Sequence, residues 1–312
     1  EGGGDLMGGH MAPVMELLMR QCDAEDEGVR SLVSECLGRL GLICPQDVLP
    51  RLQELIRQPG ALTRATAVYA LKFTITDHAP MQELSGCIAD FLALIKDEEI
   101  GVRKAALTTL NSSAHNKPVL IRPMLSSDWL LPALYGETVY KKELVRSVNL
   151  GPFQHKVDDG AELRKLALAC MDTLLDKSAE KLDTSAFLQH LQARLSDELD
   201  DIKQAAYQLL SKLAVREPFC VREVLDTVSE PLSVVLNKKP KESASPQDIE
   251  RHNELQRSAM QTVVVLHKMP ESSTCLKFHA MYESILQDAK LRALLDSVNS
   301  DAGEGSAGGL AP

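Results

Sequence analysis

Aromatic side chains are scarce in this chain: one Trp, five Tyr and six Phe among 312 residues, 4% in all. Large aromatics dominate most globular cores, so packing here must come from closely stacked Leu, Ala and Val, a profile that suits paired helices. Positive charge is also in deficit, with 34 Lys and Arg against 44 Asp and Glu and a net charge of −10. That argues against the phosphate backbone of nucleic acid as a direct partner. No apolar stretch approaches the ~18 residues of a membrane-spanning helix, so no membrane association is expected. The seven cysteines are odd in number and form no CxxC pair, which excludes a disulfide framework and zinc-type spacing. They are expected to be free thiols acting as small hydrophobes, placing the chain in the cytoplasm and nucleus. Phosphate loops and nucleophile elbows are missing too. His155 stands near Asp158 and Asp159, and Ser126-Ser127-Asp128 is close in sequence, but a triad is defined by spatial roles and not by neighbourhood. No catalytic residue, metal or cofactor is expected, and the chain is not expected to be an enzyme.

What the sequence does contain is a repeat. Six times a basic residue stands at the head of an Ala- and Leu-rich helical pattern: Arg30, Arg64, Arg103, Arg164, Lys203 and Arg257. The steps between them are 34, 39, 61, 39 and 54 residues. A period near ~40 made of paired helices is the signature of HEAT or armadillo arrays. The expected fold is therefore all-α, a right-handed α–α superhelix in which each repeat buries its apolar face against its neighbours. The recurrent basic residues are read as structural, bonding neighbouring repeats through Asp or backbone acceptors.

The two long steps need separate explanations. Residues 117–135 read as one helix bent near Pro123, after which helical period is lost. Runs 143–149 and 153–158 read as strands around Leu150-Gly151-Pro152, a reversal signal. A β-hairpin inserted between the two helices of one repeat accounts for the 61-residue step. An isolated hairpin is only marginally stable, so it must pack on its own helices or on a partner. The second long step holds a Lys- and Pro-containing linker at 237–247. The expected organisation is a disordered 1–9, HEAT repeats over 10–136, the hairpin at 137–158, further HEAT repeats over 159–299, and a disordered Gly/Ser/Ala-rich tail at 300–312. The chain opens Glu-Gly-Gly-Gly without Met, and a missing N-terminal portion is expected.

Several runs carry a family resemblance. They are Val33 to Gly38, Leu49 to Leu52, Val68 to His78, Asn111 to Pro118, Tyr140 to Arg146, Gly151 to Gly160 and Glu254 to Met260. With them the chain resembles, over roughly residues 12–298, the C-terminal third of the cullin-associated, neddylation-dissociated proteins; the hairpin segment is the most telling. Departures fall in the linker, around Trp129 and in the last helices. The final part is also similar to a TATA-binding-protein-interacting domain. The resemblance implies that such repeats grip the N-terminal helical region of a cullin. It also implies that the hairpin occupies the site used by adaptor and substrate-receptor modules of cullin–RING ubiquitin ligases. Two alternatives stay open, a transcription regulator that binds TATA-binding protein and a generic HEAT scaffold. The expected anchors are Tyr140, Leu144, Val148, Leu150, Phe153 and Val157, with Gly151 and Pro152 at the turn, His155 among them, and Arg146 and Lys156 at the rim beside Lys141 and Lys142.

Overall fold

Proline decides where the helices turn. Cys44, Lys117 and Glu217 each precede a proline, and a residue in that position is sterically excluded from the α region. All three adopt nearly one conformation, with φ −132° and ψ 66° at Cys44, −139° and 66° at Lys117, and −132° and 59° at Glu217. Each still donates its N–H to the carbonyl four residues back, at 2.8, 2.8 and 2.7 Å. The first helix thus ends hydrogen-bonded, and proline at the first position starts the next. The same corner is built three times from the same dipeptide chemistry.

A computed structural model of the chain describes residues 11–150, 153–240 and 242–307, in two compact units divided after Leu182. The first unit holds α1 (Met11–Met19), α2 (Glu27–Ile43), α3 (Pro45–Leu55), α4 (Ala61–Thr74), α5 (Met81–Leu92), α6 (Ile100–Asn116), α7 (Pro118–Leu125) and α8 (Leu130–Glu137). It continues through the strands β1 (Val145–Leu150) and β2 (Phe153–Asp158) to α9 (Ala161–Ser178). Helices α2, α4, α6 and α9 pack side by side as one layer, and α3, α5 and α7 form the second. Leu37, Leu52, Leu71, Ile88, Phe91, Leu107 and Leu110 fill the space between them.

Small polar side chains stitch the first layer. Ser34 donates to the Thr66 carbonyl at 3.1 Å, Thr74 to Gly38 at 3.0 Å and Thr109 to Val68 at 3.0 Å. Their short hydroxyls satisfy backbone oxygens across the interface and so hold the helices close. The approach is tightest at Gly38, where an added Cβ would lie 2.3 Å from the Ala70 oxygen and 2.5 Å from the Phe73 Cβ.

The second unit holds α10 (Thr184–Gln192), α11 (Asp200–Arg216), α12 (Pro218–Asn237), α13 (Pro246–His267), α14 (Leu276–Gln287) and α15 (Ala289–Ala307). Here α11, α13 and α15 pack in one layer and α10, α12 and α14 in the other, around Phe187, Tyr207, Leu210, Leu232, Met260 and Phe278. Gln256 is buried and donates its amide to the carbonyls of Leu236 and Lys238 at 2.9 and 3.1 Å, closing the end of α12. Asp226 on α12 accepts the Lys277 and Phe278 N–H groups at 3.0 and 3.1 Å and caps the start of α14.

The paired-helix reading holds in both units, with four corrections. The segment 117–135 is two helices rather than one bent at Pro123: Pro123 lies inside α7, and the break falls at 126–129. There the Ser127 N–H and hydroxyl both turn back to the Met124 carbonyl. The first strand runs Val145–Leu150, not 143–149, because Lys142–Leu144 form a 3-10 turn. Helix α13 starts at Pro246, inside the expected 237–247 linker, through a capping box between Ser245 and Asp248. Helix α15 runs to Ala307, into the 300–312 segment expected to be a disordered tail. Residues 1–10 and 308–312 lie outside the described residues.

The repeated basic residue has a physical job. Arg30, Arg64, Arg103, Arg164 and Lys203 are each the fourth residue of their helix. The first three fold back identically: Arg30 donates to the carbonyls of Ala24 and Glu25, Arg64 to Gln58 and Pro59, and Arg103 to Asp97 and Glu98. Arg64 also reaches the next repeat, where its Nε and Nη2 hold both oxygens of Asp97 at 2.9 and 2.8 Å. Burial pushes the Asp97 carboxyl up. The Arg64 hydrogen bonds, the Glu99 N–H and the charges of Arg64 and Arg103 outweigh it and hold the group below its ordinary value.

Two predictions follow from this packing. Gly38→Ala should destabilise the first unit by about 1–3 kcal/mol, as overpacking does, since the nearest obstacle is backbone; chemical denaturation followed by circular dichroism checks it. Asp97→Asn should cost about 3 kcal/mol at neutral pH, because one partner of a largely buried pair is lost. A lowered folded-state pKa gives stability that is present above the unfolded value of about 3.9 and is lost as pH falls through the lower one. The gap between parent and variant should therefore be widest near neutrality and narrow below about pH 4; a gap that does not change with pH would contradict this assignment.

Candidate functional site

The hairpin begins with a two-stranded antiparallel pairing. Val145 faces Asp158, Arg146 faces Val157, Ser147 faces Lys156, Val148 faces His155, Asn149 faces Gln154 and Leu150 faces Phe153. Alternation along each strand sorts these into two faces. Val148 and Val157 share one face with Arg146, and the register puts Leu150, Phe153 and His155 at positions of that same face. The opposite face carries Val145, Ser147, Asn149, Gln154, Lys156 and Asp158. Val148 and Val157 are half-buried, while Arg146, Ser147, Asn149, Gln154 and Lys156 are exposed. Among the described residues, neither strand packs extensively on any helix.

The base of the hairpin is fastened far more firmly than its length. Arg164, 1% exposed in the first turn of α9, donates Nη2 to Asp158 Oδ2 at 2.8 Å, and its guanidinium lies 5.4 Å from the centre of the Tyr140 ring. Asp158 Oδ1 accepts the Gly160 N–H at 3.0 Å. The Asp159 N–H bonds the Leu144 carbonyl at 3.0 Å, extending the strand pairing by one step. A Cβ at Gly160 would sit 3.1 Å from Leu144 Cδ1, so glycine lets Leu144 seat against the start of α9. The Asp159 carboxylate takes the Arg146 Nε at 2.6 Å and keeps that guanidinium's pKa above its ordinary value. On the other side Glu137, 8% exposed, accepts Lys141 Nζ at 2.6 Å and lies 3.5 Å from Arg103 Nε on α6. Buried charge is costly unless paired, so this pairing fixes where the hairpin leaves the helices.

The expected site residues divide accordingly. Tyr140 and Leu144 are not on the hairpin: Tyr140 precedes it under Arg164, and Leu144 ends the 3-10 turn beneath Gly160. Both were expected as partner anchors because they are apolar and near the strands; their contacts are with the stem. Val148 and Val157 do share a face, Arg146 is bound to Asp159, and Lys156 is exposed. Leu150, Phe153 and His155 are strand positions, and Gly151 and Pro152 lie outside the described residues. Sequence reasoning missed Glu137, Asp158, Asp159 and Gly160. The usable signal was an acidic pair just ahead of a fourth-position arginine, the pattern that Asp97 and Arg103 also follow.

Asp158 and Asp159 beside His155 are engaged by Arg164 and Arg146. Burial pushes the Cys22 thiol up to about 12 and Cys87 up to about 11, and full burial raises Cys170 as well. Thiols in that range are not the nucleophilic thiolate at neutral pH. Among the described residues, no group of three or more His, Cys, Asp or Glu is placed to hold a metal ion.

Comparison with known proteins agrees with the geometry. Residues 120–286 match the family model described as TATA-binding protein interacting (TIP20). The chain is 40% identical over 290 residues to cullin-associated NEDD8-dissociated protein 1 of Dictyostelium discoideum, covering 92% of this chain and 23% of that protein. It is 37% identical over 301 residues to protein 2 of the same name from Mus musculus, covering 95% and 24%. It is 35% identical over 267 residues to the protein called the C-terminal part of cullin-associated NEDD8-dissociated protein 1 in Emericella nidulans, covering 85% and 25%. The chain thus spans about a quarter of the length of these relatives. Among solved structures, Kap95p with RanGDP superposes at TM-score 0.66 and 13% identity, over 91% of this chain and 34% of that one. A designed armadillo repeat protein gives 0.50 and 16%, over 80% and 98%. These two likenesses establish a HEAT/armadillo-type fold. The chain belongs to the TATA-binding protein interacting (TIP20) family and, over 85–95% of its length, is similar to the cullin-associated NEDD8-dissociated proteins.

Proposed function

We propose that this chain binds the N-terminal helical region of a cullin and competes there with the adaptor or substrate-receptor module of a cullin–RING ligase. The hairpin is the competing element. One observation carries the reading: the hairpin is pinned at its base by buried ion pairs, yet among the described residues its strands pack extensively on no helix and leave Val148 and Val157 half-exposed on one face. A marginal structure held out in this way suits completion by a partner. Competition needs mutually exclusive contacts and a difference in affinity, with no chemistry by the chain itself. The apolar face supplies the anchors, of order 2 kcal/mol each when central, while exposed Lys156 steers encounter. Action in the cytoplasm and nucleus is part of the same proposal. The family model's description favours a second reading, a regulator that binds TATA-binding protein. Pull-down of the chain by a purified cullin N-terminal region, with and without adaptor, run beside TATA-binding protein, separates the two. Capture by the cullin that adaptor abolishes supports the proposal; capture by TATA-binding protein alone overturns it.

Replacing Val148 and Val157 together by Thr keeps the β-branched shape and removes the apolar surface. Cullin affinity should fall about tenfold, or ~1.4 kcal/mol, with the helical circular dichroism unchanged; parental affinity would remove the face from the interface. Arg164→Met leaves Asp158 without its buried cation, a loss of about 3 kcal/mol at the stem. Amide exchange in β1 and β2 should accelerate and cullin binding weaken, while the core of α11 and α13 exchanges as before.

A further inference from the structure

The outer face of α2, α4 and α6 encloses a pocket of about 400 Å³, inside the ~300–1,000 Å³ range typical of ligand-binding clefts. Tyr69 and Phe73 of α4 supply its aromatic lining, and its charged groups are Glu27 and Arg30 of α2, Lys72 of α4 and Lys104 of α6. These cations differ in how far they are spent. Arg30 is turned back onto the carbonyls of Ala24 and Glu25, at 2.5 and 2.8 Å. Lys72 and Lys104 are half-buried, and among the described residues neither has a carboxylate within ion-pair distance. Lys72 meets only the face of its neighbour Phe73, with Nζ 5.5 Å from the ring centre. Elsewhere in this unit the arginines of α4, α6 and α9 are matched to Asp97, Glu137 and Asp158. Two half-buried lysines without a paired carboxylate thus line one pocket with two aromatic rings, in a chain whose net charge is −10.

We propose that this pocket receives an acidic residue of a protein partner, an Asp or Glu on a segment whose adjoining apolar side chain lies on Tyr69 and Phe73. The charge argument is local. The chain as a whole repels an acidic partner, so binding must come from this pocket, where a carboxylate supplies the counter-charge that Lys72 and Lys104 lack. The aromatic lining favours a peptide carboxylate over a bare anion, because it offers area that only an attached apolar group can cover. The site is separate from the hairpin and does not depend on the cullin reading.

Fluorescence anisotropy of the full chain tests it, using a labelled peptide of alternating Glu and Leu, its Gln-for-Glu counterpart, and inorganic phosphate as competitor. The acidic peptide should bind about tenfold more tightly than the Gln peptide, with affinity falling as salt rises. The double variant Lys72→Gln, Lys104→Gln should lose that advantage with unchanged circular dichroism, and Val148→Thr, Val157→Thr should keep it. Equal binding of the two peptides, no binding of either, or a lysine double variant that binds as the parent does would each overturn the proposal. Displacement of the peptide by phosphate at equal concentration would also overturn it, assigning the pocket to a small anion.

Discussion

A single interaction recurs until the fold depends on it: a cation at the fourth position of a helix, turned onto the loop that precedes it. In α2, α4 and α6 the guanidinium gathers two carbonyls of the preceding loop at a largely exposed corner. Hydrogen bonds from a charged donor are stronger than neutral ones, so two of them hold the loop against the first turn of its helix. In α4 the same side chain also takes Asp97, and one repeat is thereby registered against the next. At α9 the preceding loop is replaced by a hairpin, and Arg164 takes the last residue of its second strand. The device that ordinarily closes a corner here orients a projection.

That substitution explains why the hairpin and the helices can serve different ends. Interlocked hydroxyls and glycines make the helix layer close-packed, so the stem has a firm base. The strands gain stability from each other and from two ion pairs at the stem, Arg146 with Asp159 and Arg164 with Asp158. Arg146 with Asp159 is largely exposed, and such pairs contribute little; the pair at Arg164 is buried and carries the attachment. Stiffness is therefore concentrated at the base, while Val148 and Val157 farther along the strands are half-buried.

Much of this was legible beforehand. Helical pairs followed from the spacing of Leu and Ala, and the hairpin from loss of helical period around Leu150-Gly151-Pro152. The repeated arginines were read as structural, and their partners bear this out. What could not be read was which apolar residues belong to the stem. Tyr140 and Leu144 read as hairpin residues in sequence, and the structure sets them ahead of the strands, against Arg164 and Gly160. The reason is distance along the chain: α9 begins only after the hairpin, and no local pattern shows what it reaches back to touch. The pocket over α4 was equally hidden, since Lys72 and Lys104 come together only when neighbouring helices stack.

The central claim is that a hairpin pinned by Arg164 is the surface a cullin contacts. Amide exchange of the strands, followed with and without a purified cullin N-terminal region, tests it most directly. The account predicts that β1 and β2 slow on adding the cullin and recover when adaptor is supplied in excess. Strands that exchange at the same rate in all three states, while the cullin is bound, would contradict it.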